Sequence, residues 1–301
     1  MPPCLSRRSI LIGGLSLPLW LSREADAASN QAGRKANAAT ARRELAALEA
    51  KHGGRLGVSA VDTGTGKALA YRAHERFALC STHKFMTVAA VLAQVDKKTV
   101  KLDQRVRYTA SDILSYAPVT KKHVADGFMT VDALCAASIE WSDNTAANLL
   151  LDLVGGPSGW THFARSIGDK VSRLDRTEPS LNEARPGDAR DTTTPEAMLH
   201  DLRACLFGPA LGEASRKRLE GWLLATTITT SLLRAGMPKD WKVGDKSGAG
   251  EHATRNDIGI VLRPNAAPIL ATAYYTQSPQ PMAERDSVIA AVGEIIARHL
   301  A

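Results

Sequence analysis

Apolar residues recur at helical spacing from Thr40 to His52, where Ala41, Leu45 and Leu48 fall on one face and Gly53-Gly54 closes the segment. Two stretches with strand character follow, Arg55 to Val61 and Lys67 to Tyr71, joined by Asp62-Thr63-Gly64-Thr65-Gly66, residues that tolerate tight-turn dihedrals. The middle of the chain changes character. Helical periodicity runs over Ser81 to Val95, Thr130 to Ser138, Asn144 to Leu153, Gly159 to Ile167, Pro195 to Phe207 and Glu213 to Thr226, with few strand candidates between. Thr194-Pro195-Glu196 reads as a helix start, with a capping hydroxyl, a proline in the first turn and an early acid. Between these helices, Arg173 to Thr193 has no period and contains Pro179, Pro186 and Gly187, which predicts a long structured loop of the kind that often carries function. Strands return at Lys242 to Asp245, Asn256 to Leu262 and Ile269 to Tyr275. A final helix, Glu284 to Leu300, sets Val288, Ile289, Val292, Ile295 and Ile296 on one apolar face.

Elements of like kind at the two ends of the chain predict one layered α/β unit, with an all-helical block inserted into it. The expected boundaries are 28–80 plus 230–301 for the discontinuous α/β domain and 81–229 for the helical domain, which includes the 173–193 loop. Residues 1–27 read as a cleaved targeting segment: Arg7-Arg8 precede an apolar run from Ile10 to Trp20, and Ala25-Asp26-Ala27 offers small residues to a signal peptidase. Ser6-Arg7-Arg8-Ser9-Ile10-Leu11 resembles a bacterial twin-arginine signal, so folded export to the periplasm by that machinery is expected, with no membrane anchor left behind.

Charge and cysteine content narrow the function. The net charge of +7 falls to about +6 without the targeting segment, and its basic residues are scattered among acids rather than gathered into a stripe. Nucleic acid is therefore not the expected partner; a mildly basic surface suits small anionic substrates. With Cys4 in the targeting segment, Cys80, Cys135 and Cys205 remain, an odd number whose spacing matches neither a redox pair nor a zinc site. Three buried thiols are expected, and no metal or cofactor.

Four short motifs carry the chemistry. In Cys80-Ser81-Thr82-His83-Lys84 at a helix start, Ser81 and Lys84 lie three apart on one face, so a lysine of lowered pKa can take the hydroxyl proton while free helix N–H groups stabilise an oxyanion. Ser142-Asp143-Asn144 stands at a break before a helix: Ser142 can relay a proton, Asn144 can hold a substrate amide, and Asp143 fits a local loop-bonding role. Lys246-Ser247-Gly248 follows a strand, where a cation, a hydroxyl and a residue without a side chain can take a carboxylate; Arg255 is a second cation if the next strand pairs. Within the long loop, Glu178 and Asn182 stand four apart and can clamp a water between them, with Arg176 and Asp191 placed to close the loop by an ion pair. Each motif alone also matches an ordinary cap or surface charge.

Taken together and in this order, the motifs resemble those of the penicillin-recognising serine enzymes, and Glu178 to Asn182 with Pro186 to Pro195 narrows the likeness to the class A serine β-lactamases over roughly residues 40 to 300. The resemblance implies an antiparallel sheet flanked by the N- and C-terminal helices, with the active site between sheet and helical block. It also implies hydrolysis of penicillins and cephalosporins by a monomer, with resistance to these antibiotics as the outcome. Ser81 is then the acylated nucleophile and Lys84 its neighbouring base, a role contested between that lysine and the glutamate with its water. Glu178 and Asn182 activate the deacylating water. Ser142 and Lys246 flank the substrate carboxylate, Ser247 keeps the hydroxyl of the third motif, and Asn144 meets the side-chain amide. The backbone N–H groups of Ser81 and Ala249 form the oxyanion hole, and Tyr116 is the aromatic wall at the cleft mouth. A transpeptidase or carboxypeptidase shares the first three motifs but lacks the water that Glu178 with Asn182 supplies; a non-enzymatic β-lactam sensor would keep the serine, lose the deacylating carboxylate and normally carry a membrane tether. Carbapenem-hydrolysing relatives pair the cysteine before the nucleophile with one at the position of Gly250, and a second family disulfide would need a cysteine at Val88 for Cys135. Neither partner is present, which implies free thiols and argues against efficient carbapenem hydrolysis.

Overall fold

The computed structural model describes Met1 and residues 20–301, the side chains of 20–35 excepted, so the paired arginines and apolar run of the targeting segment lie outside the described residues. The chain divides into two compact units, 1–37 and 38–301; the first contains the start of a helix, and the architecture that follows belongs to the second. In chain order the elements are α1 (Trp20–His52), β1 (Arg55–Asp62), β2 (Ala68–Tyr71), β3 (Phe77–Ala78), α2 (His83–Asp96), β4 (Arg105–Arg107), β5 (Phe128–Thr130), α3 (Val131–Glu140), α4 (Asn144–Leu153) and α5 (Gly156–Ser166). The second half adds β6 (Thr192–Thr193), α6 (Pro195–Leu206), α7 (Glu213–Ala225), β7 (Lys242–Gly250), β8 (Thr254–Arg263), β9 (Ala266–Thr276) and α8 (Met282–Leu300).

Strands from both ends of the chain form one antiparallel five-stranded sheet in the order β2-β1-β9-β8-β7, as the layered expectation requires. Period-two alternation sorts its residues between two cores. Leu270 and Tyr274 of β9 face the helices α2 to α7, whereas Ile269, Ala271, Ala273 and Tyr275 of the same strand face α8 and the C-terminal half of α1. On α1, Ala41 and Leu45 are fully buried, and on α8 so are Val288, Ile289, Val292 and Ile296. The predicted cap of α6 is in place, with the Ala197 amide donating to Thr194 Oγ1 at 3.1 Å and Pro195 in the first turn.

Several boundaries differ from the sequence reading. The predicted helix from Ser81 opens instead as a short 3-10 turn, Cys80–Thr82, with α2 beginning at His83. β7 runs on through Ser247, Gly248 and Ala249 to Gly250; low strand propensity there is overridden by an unbroken ladder to β8. α5 starts earlier than the periodicity indicated, at Gly156, where Pro157 occupies the first turn. The two-residue strands β3 and β6 pair with each other and fasten the end of the 173–193 loop to the scaffold; pairs this short leave no periodic trace. Cys80, Cys135 and Cys205 are free and buried, and burial pushes all three thiols up, Cys80 further so by the charges of Glu178 and Asp191.

Candidate active site

Ser81 sits where the 3-10 turn passes into α2, immediately after Cys80, which holds a left-handed φ of 44°. Its Oγ accepts from Lys84 Nζ at 3.0 Å and donates to Glu178 Oε1 at 3.3 Å. Nucleophile, lysine and loop carboxylate thus meet at one point. Lys84 is fully buried among oxygen acceptors: the Ser142 carbonyl at 2.7 Å, Asn144 Oδ1 at 2.5 Å, Ser142 Oγ at 3.3 Å and Glu178 Oε1 at 3.0 Å. Burial lowers its pKa from the ordinary lysine value, against the pull of Glu178. Burial also works to raise the pKa of Glu178, but the charge of Lys84 and the contact with His83 outweigh it and hold the carboxyl well below its usual range. Glu178 therefore rests as a carboxylate, beside a lysine whose proton burial makes easier to give up.

The second motif reaches this point through backbone strain and a dense local network. Ser142 has φ 57°, in the left-handed region, and the Asn144 amide donates to the Tyr116 carbonyl at 3.0 Å. Asp143 is fully buried; it caps α4 by accepting from the Ala146 amide and also takes the amides of Val119 and Thr120 and the Thr120 hydroxyl. The loop-orienting role read for it from the sequence is what the structure displays. Lys246, on β7, donates to Ser142 Oγ at 3.0 Å, so that hydroxyl lies between the two lysines. Burial and the charge of Lys84 together drive the Lys246 pKa well below its ordinary value.

The 173–193 loop is closed as expected: Arg176 Nε donates to Asp191 at 2.6 Å, and its Nη1 meets Glu183 at 2.7 Å. Asp191 also accepts the amides of Asp175 and Arg176, so its buried carboxylate is fully engaged. Glu178, followed by a cis bond to Pro179, is held at its main chain by Asn148, which accepts from the Glu178 amide and donates to its carbonyl, both at 3.0 Å. Asn182 Nδ2 donates directly to Glu178 Oε2 at 2.5 Å, so the two side chains read from the sequence as clamping a water also bond each other.

A cavity of about 360 Å³ opens over these groups, lined by Ser81, Tyr116, Ser142, Asn144, Asn182, Ile228, Ser247, Gly248, Ala249 and Arg255. Tyr116 is 49% exposed at its rim. Two glycines let β7 approach the nucleophile. A Cβ at Gly248 would lie 3.1 Å from the Leu79 carbonyl, and one at Gly250 would lie 2.6 Å from Cys80 Sγ and 2.7 Å from the Asn182 carbonyl. Arg255 pairs in register with Ala249, as the strand argument required, but its guanidinium is engaged by Asp286 through Nε at 2.6 Å. Sequence reasoning missed Asn148, Ile228, Asp286 and the imidazole of His83. Asn148 lies one helical turn beyond Asn144 on α4, a spacing that puts both on one face of the helix.

Among the described residues no group of metal-ligating side chains assembles, and no helix is long and apolar enough to cross a membrane. A serine joined to a lysine, with a loop carboxylate on the same oxygen and a cavity above, is the equipment of a serine hydrolase that works through an acyl-enzyme. A model of the Beta-lactamase enzyme family matches residues 40–300. The beta-lactamase Toho-1 of Escherichia coli is 45% identical over 290 residues, covering 96% of this chain and 97% of that protein. OXY-2 of Klebsiella oxytoca is 43% identical over 295 residues, covering 98% and 99%. Among solved structures, an ancestral Gram-negative class A β-lactamase superposes with a TM-score of 0.84 at 54% identity, covering 86% of this chain and 99% of that one. PenP of Rhodopseudomonas palustris gives 0.84 at 49% identity, covering 86% and 99%. The chain belongs to the class A serine β-lactamases. It is a β-lactam hydrolase acting through a serine.

Proposed function

We propose that hydrolysis proceeds in two half-reactions with a division of labour among named groups. In the first, Lys84 in the neutral amine form that burial favours takes the Ser81 proton, Ser81 Oγ attacks the β-lactam carbonyl, and the amides of Ser81 and Ala249 receive the developing oxyanion. The C–N bond of the ring breaks, and Ser142, between Lys84 and Lys246, relays the proton to the leaving nitrogen. In the second, Glu178 with Asn182 deprotonates a water that attacks the Ser81 ester; the acyl C–O bond to Ser81 Oγ breaks, and that oxygen takes the proton back to restore the hydroxyl. Lys246, Ser247 and Arg255 take the substrate carboxylate, with Asp286 holding Arg255; Asn144 meets the side-chain amide, and Tyr116 walls the mouth. Penicillins and cephalosporins are the proposed substrates. The observation that carries this reading is the position of Glu178 Oε1, 3.3 Å from the nucleophile, while its other oxygen is held by Asn182.

The test is hydrolysis of a penicillin and a cephalosporin, followed by loss of β-lactam absorbance. Wild-type protein should open both and Ser81→Ala neither; turnover by Ser81→Ala would remove the nucleophile assignment. In the same assay Arg255→Ala should lose kcat/KM on the penicillin by roughly the 1.5–3 kcal/mol of one charge-assisted hydrogen bond. A loss below twofold would remove Arg255 from the carboxylate site.

Export is proposed on the strength of Arg7-Arg8, the apolar run and Ala25-Asp26-Ala27. A monomer released into the periplasm, handled in transit by the twin-arginine machinery and a signal peptidase, is the corresponding form. Intact mass of the periplasmic protein should correspond to a start at or within a few residues of Ala28. Recovery with Met1 in place would reject processing, and unimpaired export of an Arg7→Lys, Arg8→Lys precursor would reject the route.

A further inference from the structure

His83 lies two residues beyond the nucleophile, on the first turn of α2, and is fully buried. Its Nε2 is 3.3 Å from Glu178 Oε1 and its Nδ1 is 3.1 Å from Thr87 Oγ1, while its main-chain carbonyl accepts from Trp160 Nε1 at 3.1 Å. The ring therefore stands between a hydroxyl and the carboxylate. Three donors converge on Glu178 Oε1: Ser81 Oγ, Lys84 Nζ and His83 Nε2. Two of them change during acylation, because Ser81 Oγ carries no proton once it is an ester and Lys84 handles that proton. His83 is the donor to Oε1 that the first half-reaction leaves unaltered.

The tautomer follows from the partners. Nε2 facing a carboxylate must carry a proton, or two lone pairs would oppose each other. Burial disfavours the imidazolium, and the charges of Lys84 on its own helix and Lys246 on β7 oppose it further, with Glu178 in the loop pulling the other way; the balance lowers the pKa. From α5 the neighbour is the uncharged Trp160. In the neutral ring Nδ1 is then an acceptor, and the Thr87 hydroxyl, also 3.1 Å from the His83 carbonyl, can turn to supply the proton.

We propose that His83 is a positioning residue for the deacylating base: pinned by Thr87, its Nε2–H holds Glu178 Oε1 in place through the acyl-enzyme stage, while Asn182 holds Oε2. The assignment rests on Glu178 being the base for the second half-reaction. It is tested by following acylation and deacylation separately, by rapid quench and intact mass with benzylpenicillin, across the acid side of the pH profile. His83→Phe keeps a ring in the cavity and removes the donor. Deacylation should slow about tenfold, the scale of losing one charge-assisted hydrogen bond, with acylation within about threefold of wild type. The acid limb of deacylation should move to higher pH, because Glu178 loses a bond that favours its charged form. His83→Gln retains an N–H at similar reach and should recover most of both. Deacylation within a factor of two and an unmoved acid limb in His83→Phe would overturn the proposal. So would equal losses in both half-reactions in both variants, the signature of packing alone. If His83→Phe does not fold, Thr87→Val decides: it keeps the ring and removes its Nδ1 partner, so slower deacylation with a raised acid limb supports the proposal and an unchanged profile rejects it. Glu178→Gln in the same series separates the two levels. Failure of that variant to accumulate acyl-enzyme sinks the base assignment, whereas accumulation alongside an unaffected His83→Phe sinks only the role of the histidine.

Discussion

Glu178→Gln protein mixed with a good penicillin is expected to stop as a stable adduct on Ser81, heavier than the free enzyme by one whole β-lactam molecule, because ring opening expels nothing. Glutamine keeps the size and an oxygen for Asn182 but has no basicity, so the water goes unactivated, and steady-state turnover should fall by roughly 10²- to 10⁴-fold. Acylation should survive for a reason visible in the site. Glu178 Oε1 is the charged partner of Lys84 at 3.0 Å, and without it a fully buried ammonium loses its main counter-charge. The lysine then becomes neutral more readily, which makes it a better acceptor for the Ser81 proton. Intact mass after a short incubation gives the result directly. A folded variant with neither adduct nor burst would mean that Glu178, itself 3.3 Å from Ser81 Oγ, is required for acylation too. Wild-type turnover would mean that another group activates the water.

What the sequence could disclose divides along a physical line. Local chemistry was legible: the Thr194 cap and the Arg176 to Asp191 closure each span a few residues or one loop, so residue type and spacing constrain them. The sheet was legible from its alternating residues at both chain ends, although its extension through Ser247-Gly248-Ala249 was not, because pairing rather than propensity makes those residues strand. Contacts made by long-range packing left no such mark. Asn148 grips Glu178 across 30 residues and Asp286 grips Arg255 across 31, and each looks alone like an ordinary polar position on a helix. His83 occupied a variable place within Ser-x-x-Lys; only the approach of the loop to α2 shows that its ring faces the carboxylate. The left-handed backbone at Cys80 and Ser142 was equally hidden, since neither residue type announces a positive φ.

Lys84→Met should give the opposite mass spectrum to Glu178→Gln: free enzyme throughout, with acylation rather than deacylation lost. Methionine approximates the stem of the lysine and removes only the amine, the group that bonds Ser81 Oγ at 3.0 Å and joins it to Ser142 and Asn144. With no acceptor for the hydroxyl proton, attack on the ring should slow by roughly 10²- to 10⁴-fold, so that little adduct forms on the timescale that saturates Glu178→Gln. A second consequence concerns pH. Glu178 loses the charge that does most to hold its carboxyl low, so the residual activity should acquire an acid limb at higher pH than in the wild type. The double variant Lys84→Met with Glu178→Gln should resemble Lys84→Met, because a step that does not start cannot stall later. Adduct formation by Lys84→Met at the wild-type rate, with the fold intact by circular dichroism, would transfer the acylation step to Glu178. Loss of adduct in Lys84→Met and Glu178→Gln alike would instead make the pair one catalytic unit, in which proton transfer needs both ends of the 3.0 Å contact.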